Sequence, residues 1–178
     1  MASDPDKNQW PALNVDNEAL LKEIFALLSA RVTADAYSSD GSFAAQIATL
    51  PPGLRAMAAT HWLDISLTLD SITWHFGNFG EPNLVRLTDE GLVELGLDDL
   101  VACFREARDL MLPLLAGRTE SDGDLYEVLE KHGLREVAED INRRAWAIDG
   151  ISKKESVIYQ AWVAYARQHP ARVFGAWQ

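Results

Sequence analysis

The sequence predicts an all-α protein, a single globular multi-helix domain of about eight helices, and three observations carry that reading. Apolar residues recur at three- and four-residue intervals from one end of the chain to the other. Gly and Pro punctuate these runs without dividing them into short alternating segments of the kind strands need. A chain of 178 residues, 48% apolar and 24% charged, can bury one core without disulfides or metals. No repeat, low-complexity tract or interdomain linker is visible, so 1–178 reads as one domain with terminal segments at 1–13 and 171–178.

Leu20, Leu21, Ile24, Phe25, Leu27, Leu28 and Val32 predict a first helix over about 17–32, with Asp16 as its N-cap. Residues 36–41 read as a loop and 42–50 as a short helix, ended by Pro51-Pro52. From Pro52 the apolar stripe Leu54, Met57, His61, Trp62, Ile65, Leu69, Ile72 and Phe76 meets no breaker after Gly53, which predicts one long central helix to His75. Residues 77–82 (Gly-Asn-Phe-Gly-Glu-Pro) form the strongest loop signal in the chain.

Helices are expected next over 83–95, ended by Gly96, and over 98–115, with Asp98 as N-cap. Residues 116–123 read as a polar loop. Shorter helices follow over 124–131, stopped by Gly133, and over 134–148. The last spans 152–168, opened by a capping box of Ser152 and Glu155 and stopped by Pro170.

Cys103 is the only cysteine, so no disulfide can close within the chain; its apolar neighbours predict a buried, inert thiol. The first ten residues lack the apolar core of a signal peptide, and no apolar run reaches the roughly 20 residues of a membrane helix. A cytoplasmic protein without membrane contact is expected.

Catalytic and metal-binding patterns are mostly missing. His61, His75, His132 and His169 form no His-x-x-x-His or Glu-x-x-His pair. His61 and Asp64 share a helix face, yet two ligands are too few for a zinc site. There is no Gly-x-Ser-x-Gly elbow, P-loop or dinucleotide fingerprint, so no enzyme, cofactor or metal is expected. An enzyme would need a deep pocket gathering His61, Asp64, His75 and Asn78. Of six tryptophans, Trp62, Trp74, Trp146 and Trp162 fall within helical apolar patterns and read as core. Trp10 and Trp177 lie in the terminal segments and either dock back or contact a partner.

Charge is the informative quantity. Net charge is −11, from 27 acidic and 16 basic residues, a field that repels nucleic acid and attracts basic proteins or cations. Between Arg86 and Arg105 stand Asp89, Glu90, Glu94, Asp98 and Asp99 with no Lys or Arg. Glu120, Asp122, Asp124, Glu127 and Glu130 form a second cluster, also free of basic residues. The bland reading is a solvated acidic surface with helix caps, Asp124 among them.

The segment 50–115 carries a resemblance. It reads Leu50-Pro-Pro-Gly-Leu-Arg-Ala-Met-Ala-Ala-Thr-His-Trp62-Leu-Asp64, then Ile72-Thr-Trp-His-Phe76-Gly-Asn78, Gly91 to Gly96, and Arg105-Glu-Ala107. It resembles the DNA-mimic protein family, part of a larger helical family of unknown function. Phe76 and Asn78 match that family's aromatic-Phe-x-Asn element. Where the family has Asn-Gly-Gly-Phe this chain has Leu69-Asp-Ser-Ile72, so a different local backbone is expected there.

The resemblance implies a helical protein, homodimeric by family analogy, whose carboxylates stand in for DNA phosphates on the basic surface of a DNA-binding protein. Asp89, Glu90, Glu94, Asp98 and Asp99 are the expected face, with the cluster at 120–130 second. The competing expectation is an immunity-type or housekeeping binding protein that uses an apolar and aromatic surface.

Overall fold

The computed structural model describes residues 10–118, 122–151 and 153–175, and among them every regular element is helical. A 3-10 turn at Pro11–Asn14 precedes α1 (Asn17–Arg31), α2 (Ser42–Ala48), α3 (Pro52–Leu69), α4 (Ile72–Phe79) and α5 (Pro82–Glu94). Then come α6 (Asp98–Ala116), α7 (Leu125–Lys131), α8 (Arg135–Ile148), α9 (Val157–Gln168) and α10 (Pro170–Phe174).

α3 is the axis of the fold, touching α1, α2, α4, α5, α9 and α10. Twelve of its eighteen residues are buried, which explains why its sequence shows a broad apolar stripe with little polar face. Trp162 of α9 is fully buried against it, its indole N–H donating to Thr60 Oγ1 at 3.0 Å, and Thr60 passes its own proton to the Ala56 carbonyl at 2.9 Å. Gly91 lets α5 lie close on α3: a Cβ there would stand 3.0 Å from the Ala56 carbonyl oxygen. α5 runs antiparallel to α3, since Thr88 bonds the carbonyl of Ala59 while Gly91 meets Ala56.

Several expected boundaries move. The long central helix is two helices, broken at Asp70-Ser71. Ser71 caps the second, its hydroxyl accepting the Trp74 N–H at 3.1 Å. The break needs no glycine, because no non-glycine residue here has positive φ; a serine cap replaces a left-handed turn. The loop expected at 77–82 shrinks to Gly80-Glu81, as Gly77, Asn78 and Phe79 continue α4. Phe79 is buried, and this burial outweighs the low helix propensity of glycine.

α6 begins at Asp98 with Leu97 as N-cap, so Asp98 is its first residue rather than its cap. α9 starts at Val157 with Ser156 as N-cap, five residues later than expected, and Ser152 lies outside the described residues. A capping box is formed by Asp124 and Glu127 at the head of α7. Pro170, expected only to stop the preceding helix, also opens α10, and Val173 is fully buried. Asp16, as expected, caps α1 by accepting the Ala19 N–H at 2.8 Å.

Candidate protein-binding face

The end of the molecule where α5 stops and α6 starts carries the first set of acidic candidates. α5 closes in a Schellman motif: Leu97 N–H reaches the Leu92 carbonyl at 2.9 Å, and Gly96 N–H reaches Val93 at 3.1 Å. Gly96 sits at φ +70°, a conformation that favours glycine, and it swings the chain so that Asp98 and Asp99 open the next helix.

Asp89 faces inward between helices. Arg105 Nε grips both its oxygens, at 2.9 and 3.2 Å, and Arg108 adds a contact at 3.4 Å. Its side chain is only 18% exposed, so it clamps α5 to α6. Glu90 pairs with Arg86 one turn earlier at 2.7 Å, both about half exposed. Glu94, four residues on, turns toward α10 and accepts from Arg172 Nη2 at 2.6 Å and from the Tyr165 hydroxyl. Burial and the neighbouring Glu94 carboxylate push Tyr165 up to about 12, so its hydroxyl keeps its proton and donates. Glu90 and Glu94, both expected on the acidic face, are therefore split between solvent and the α10 contact.

Asp98 and Asp99 differ from the others. Both are exposed in the first turn of a nineteen-residue helix, and neither carboxylate has a hydrogen bond or ion pair among the described residues. The free N–H groups and dipole of that turn favour negative charge there.

The second cluster, on and before α7, is engaged in structure. Asp122 pairs with Lys131 at 2.7 Å. Asp124 accepts the Glu127 N–H at 2.9 Å while Glu127 accepts the Asp124 N–H at 3.2 Å. Glu130 meets Arg135 at 3.3 Å. Glu120 lies outside the described residues.

Sequence reasoning missed the cations that close on these acids. Arg105 and Arg108 stand 16 and 19 residues from Asp89, and Arg172 stands 78 from Glu94. An interval free of Lys and Arg in the sequence is thus not free of them in space. Pairing redistributes charge but leaves the sum untouched, and the chain still carries −11.

The opposite end of α3 presents an apolar patch. Leu69 and Ile151 are each 68% exposed, and the Ile151 N–H bonds the Leu67 carbonyl at 3.2 Å. Tyr126, 44% exposed, donates to Asp70 at 2.7 Å beside them. α3 separates the two ends by about 27 Å, at about 1.5 Å per residue. Trp10 is half-buried, its ring 6.4 Å from that of Phe174, and Trp177 is outside the described residues.

The four residues of the conceivable enzyme site do not share a pocket. His61 lines a groove with Phe25, Phe43 and Trp62, and Asp64, His75 and Asn78 are not in its wall. Asp64 is buried, its carboxylate accepting from Ser156, and burial raises its pKa. His75 is fully buried and its Nδ1 meets Ser66 Oγ at 2.9 Å. Among the described residues no three His, Cys, Asp or Glu side chains are placed to hold a metal ion. No helix among them is long and apolar enough to cross a membrane. Cys103 is buried, and burial raises the thiol pKa.

The family model described as DMP19-like protein matches residues 48–169, extending well past the 50–115 segment in which the resemblance was read. The chain belongs to the DMP19-like family, a DNA-mimic protein family. No curated protein and no solved structure matches it.

Proposed function

We propose that this DMP19-like protein works without catalysis, presenting negative charge to the basic surface of a DNA-binding protein and so competing with DNA for it. One observation carries the reading beyond family membership. At the α5–α6 end, Asp98 and Asp99 stand exposed and unpaired among the described residues, and α5 adds a half-exposed Glu90, on a chain with a surplus of eleven negative charges.

The proposed contact centres on Asp98 and Asp99 and takes in Glu90. Glu94 and Asp89 sit behind it and hold α5, α6 and α10 in place. Asp122, Asp124, Glu127 and Glu130 are proposed as a secondary acidic region whose charges also maintain α7. Two carboxylates in one helical turn give a charge density comparable to duplex DNA, which offers one charge per about 1.7 Å of axis. The reading places the protein in the cytoplasm with its partner, as a homodimer.

A competition assay tests it. Basic DNA-binding proteins of the nucleoid type are loaded on a fluorescent duplex at low salt, and the protein is titrated in. Release of duplex by the protein, and its loss in an Asp98→Lys/Asp99→Lys variant, is the expected result. A duplex that stays bound at every concentration, for every such protein tried, removes the reading.

A second reading rests on the patch at the other end of α3. Leu69 and Ile151 are the two most exposed large apolar side chains among the described residues, and clustered apolar exposure marks contact surfaces. A partner held there would bind with little salt dependence and would be lost on Leu69→Asp.

A further inference from the structure

Charged residues make up 24% of the chain, yet α9 holds a single one, Arg167. Its guanidinium is spent on the segment that leads into α1. It donates to the Leu13 and Val15 carbonyls at 3.1 and 2.9 Å and to Asn17 Oδ1 at 2.9 Å. Val157, Gln160, Ala161, Ala164 and Gln168 recur at three- and four-residue steps and so share one side of the helix. None of the five is buried, while Ile158, Trp162 and Ala166 carry the buried side. α9 thus turns an uncharged face outward, and depletion of charge is what marks the centre of a protein interface.

A groove runs along each side of this face. One, of about 360 Å³, lies between α9 and the α5–α6 turn, walled by Leu95, Leu97, Val157, Ala161 and Ala164. The other, of about 920 Å³, lies between α9 and α1, walled by Leu21, Tyr159, Val163 and again Ala164. Gln160 and Ala164 border both, so an alanine methyl forms part of the ridge between them. Small side chains at a contact let a second helix approach closely.

Acids stand at both margins. Glu18 and Glu155 wall the α1 groove, and Leu97 of the other groove is followed at once by Asp98 and Asp99. Glu155 accepts from the neutral Gln160 amide at 3.0 Å and so keeps its charge. Lys22 pairs with Glu18 at 2.6 Å, but the two side chains are 73% and 79% exposed, and water screens them. Among the described residues lining either groove, Arg167 is the one cation. A face that is uncharged in the middle and acidic at its flanks complements a helix with an apolar stripe edged by Lys and Arg. A second copy of this chain would set acid against acid here, and nucleic acid or an anionic lipid surface would be repelled.

We propose that α9 and its two grooves dock a basic amphipathic helix of a protein partner. Its apolar side chains enter the grooves on either side of Ala164, and its Lys and Arg side chains reach Glu18, Glu155 and Asp98. That the helix belongs to a DNA-binding protein rests on the reading given above; the complementarity of the face does not.

NMR titration of the full chain with an amidated peptide of about 14 residues, Leu and Lys set at helical spacing, tests this beside a scrambled peptide of the same composition. Saturable shifts at the Gln160 side-chain amide and the Ala164 amide are expected with the amphipathic peptide, which should bind about tenfold more tightly than the scrambled one. Ala164→Arg, at an exposed site where arginine is a good helix former, should weaken the amphipathic peptide by about tenfold with the circular dichroism unchanged. Equal affinity for the two peptides, or shifts that spare α9, overturns the docking surface, and both readouts use the unmodified protein. The duplex competition separates this from the DNA-competition reading. Release of duplex by wild type and equally by Ala164→Arg overturns the docking surface alone. Peptide binding at α9 without release of duplex overturns the DNA-competition reading alone, and the surface stands.

Discussion

Arg172, in the last helix, donates through Nη2 to Glu94 at 2.6 Å and so ties the C-terminal end of the described chain to the end of α5. The pair joins residues 78 apart. Its two side chains are 47% and 29% exposed, so solvent screens it and the stabilisation is modest. Arg172→Ala is expected to lower unfolding free energy by at most about 1 kcal/mol in urea titrations. The same change frees a carboxylate beside Glu90, so affinity for a basic partner should rise. Weaker binding by this variant would argue against charge as the source of affinity.

His75 gives the fold a pH dependence with a definite sign. Ser66 donates its one proton to the Trp62 carbonyl at 2.7 Å, so the imidazole Nδ1–H must donate to Ser66. Nε2 then remains unprotonated and unpartnered, with the rings of Phe76, Phe79 and Phe104 around it. Burial lowers its pKa to about 3. An unfolded chain takes up this proton near 6.5 whereas the folded one refuses it until about 3. Stability therefore falls as pH drops below 6.5, by about 1.4 kcal/mol per unit. The raised Asp64 acts in the opposite direction, but equally in any His75 variant. Between pH 7 and 5, wild type should lose about 2 kcal/mol more than His75→Phe, and equal losses would place the His75 proton wrongly.

Thr60 serves as the buried partner of Trp162. Thr60→Val keeps the shape but strands the indole N–H in a fully buried position, at a cost of about 1–3 kcal/mol. Thermal or urea unfolding measures it. A neutral result would mean that the indole finds another acceptor.

Much of this fold is legible in the sequence because it is written locally. The Asp16 cap, the Gly96 and Gly133 stops and the apolar spacing of α5, α6 and α8 depend on residues within a few positions of one another. The break at Asp70-Ser71 was missed because apolar spacing continues through it, and a serine cap is a weak signal inside an apolar run. α10 was missed because Pro170 both ends one helix and opens the next. The acidic face was the least legible part. Spacing of four predicts neighbours on a helix, but which carboxylates stay free depends on Arg105, Arg108 and Arg172, and these arrive only through tertiary packing.

Asp124 separates capping from charge. Asn caps a helix about as well as Asp, so Asp124→Asn should leave stability within about 0.5 kcal/mol, whereas Asp124→Ala should cost about 1 kcal/mol. If α7 contributes to the contact, Asp124→Asn weakens partner binding at low salt with the fold intact. Unchanged affinity would confine the contact to the α5–α6 end.

The most direct test of the account is the salt dependence of partner affinity, measured for wild type and for Asp98→Lys/Asp99→Lys. Fluorescence anisotropy against a basic DNA-binding protein that the wild type displaces from DNA would supply both isotherms between about 50 and 200 mM salt. The account predicts that wild-type affinity falls steeply across that range and that the variant binds weakly throughout, with a flatter slope. Affinity that ignores salt, or a variant that binds as wild type does, would contradict it.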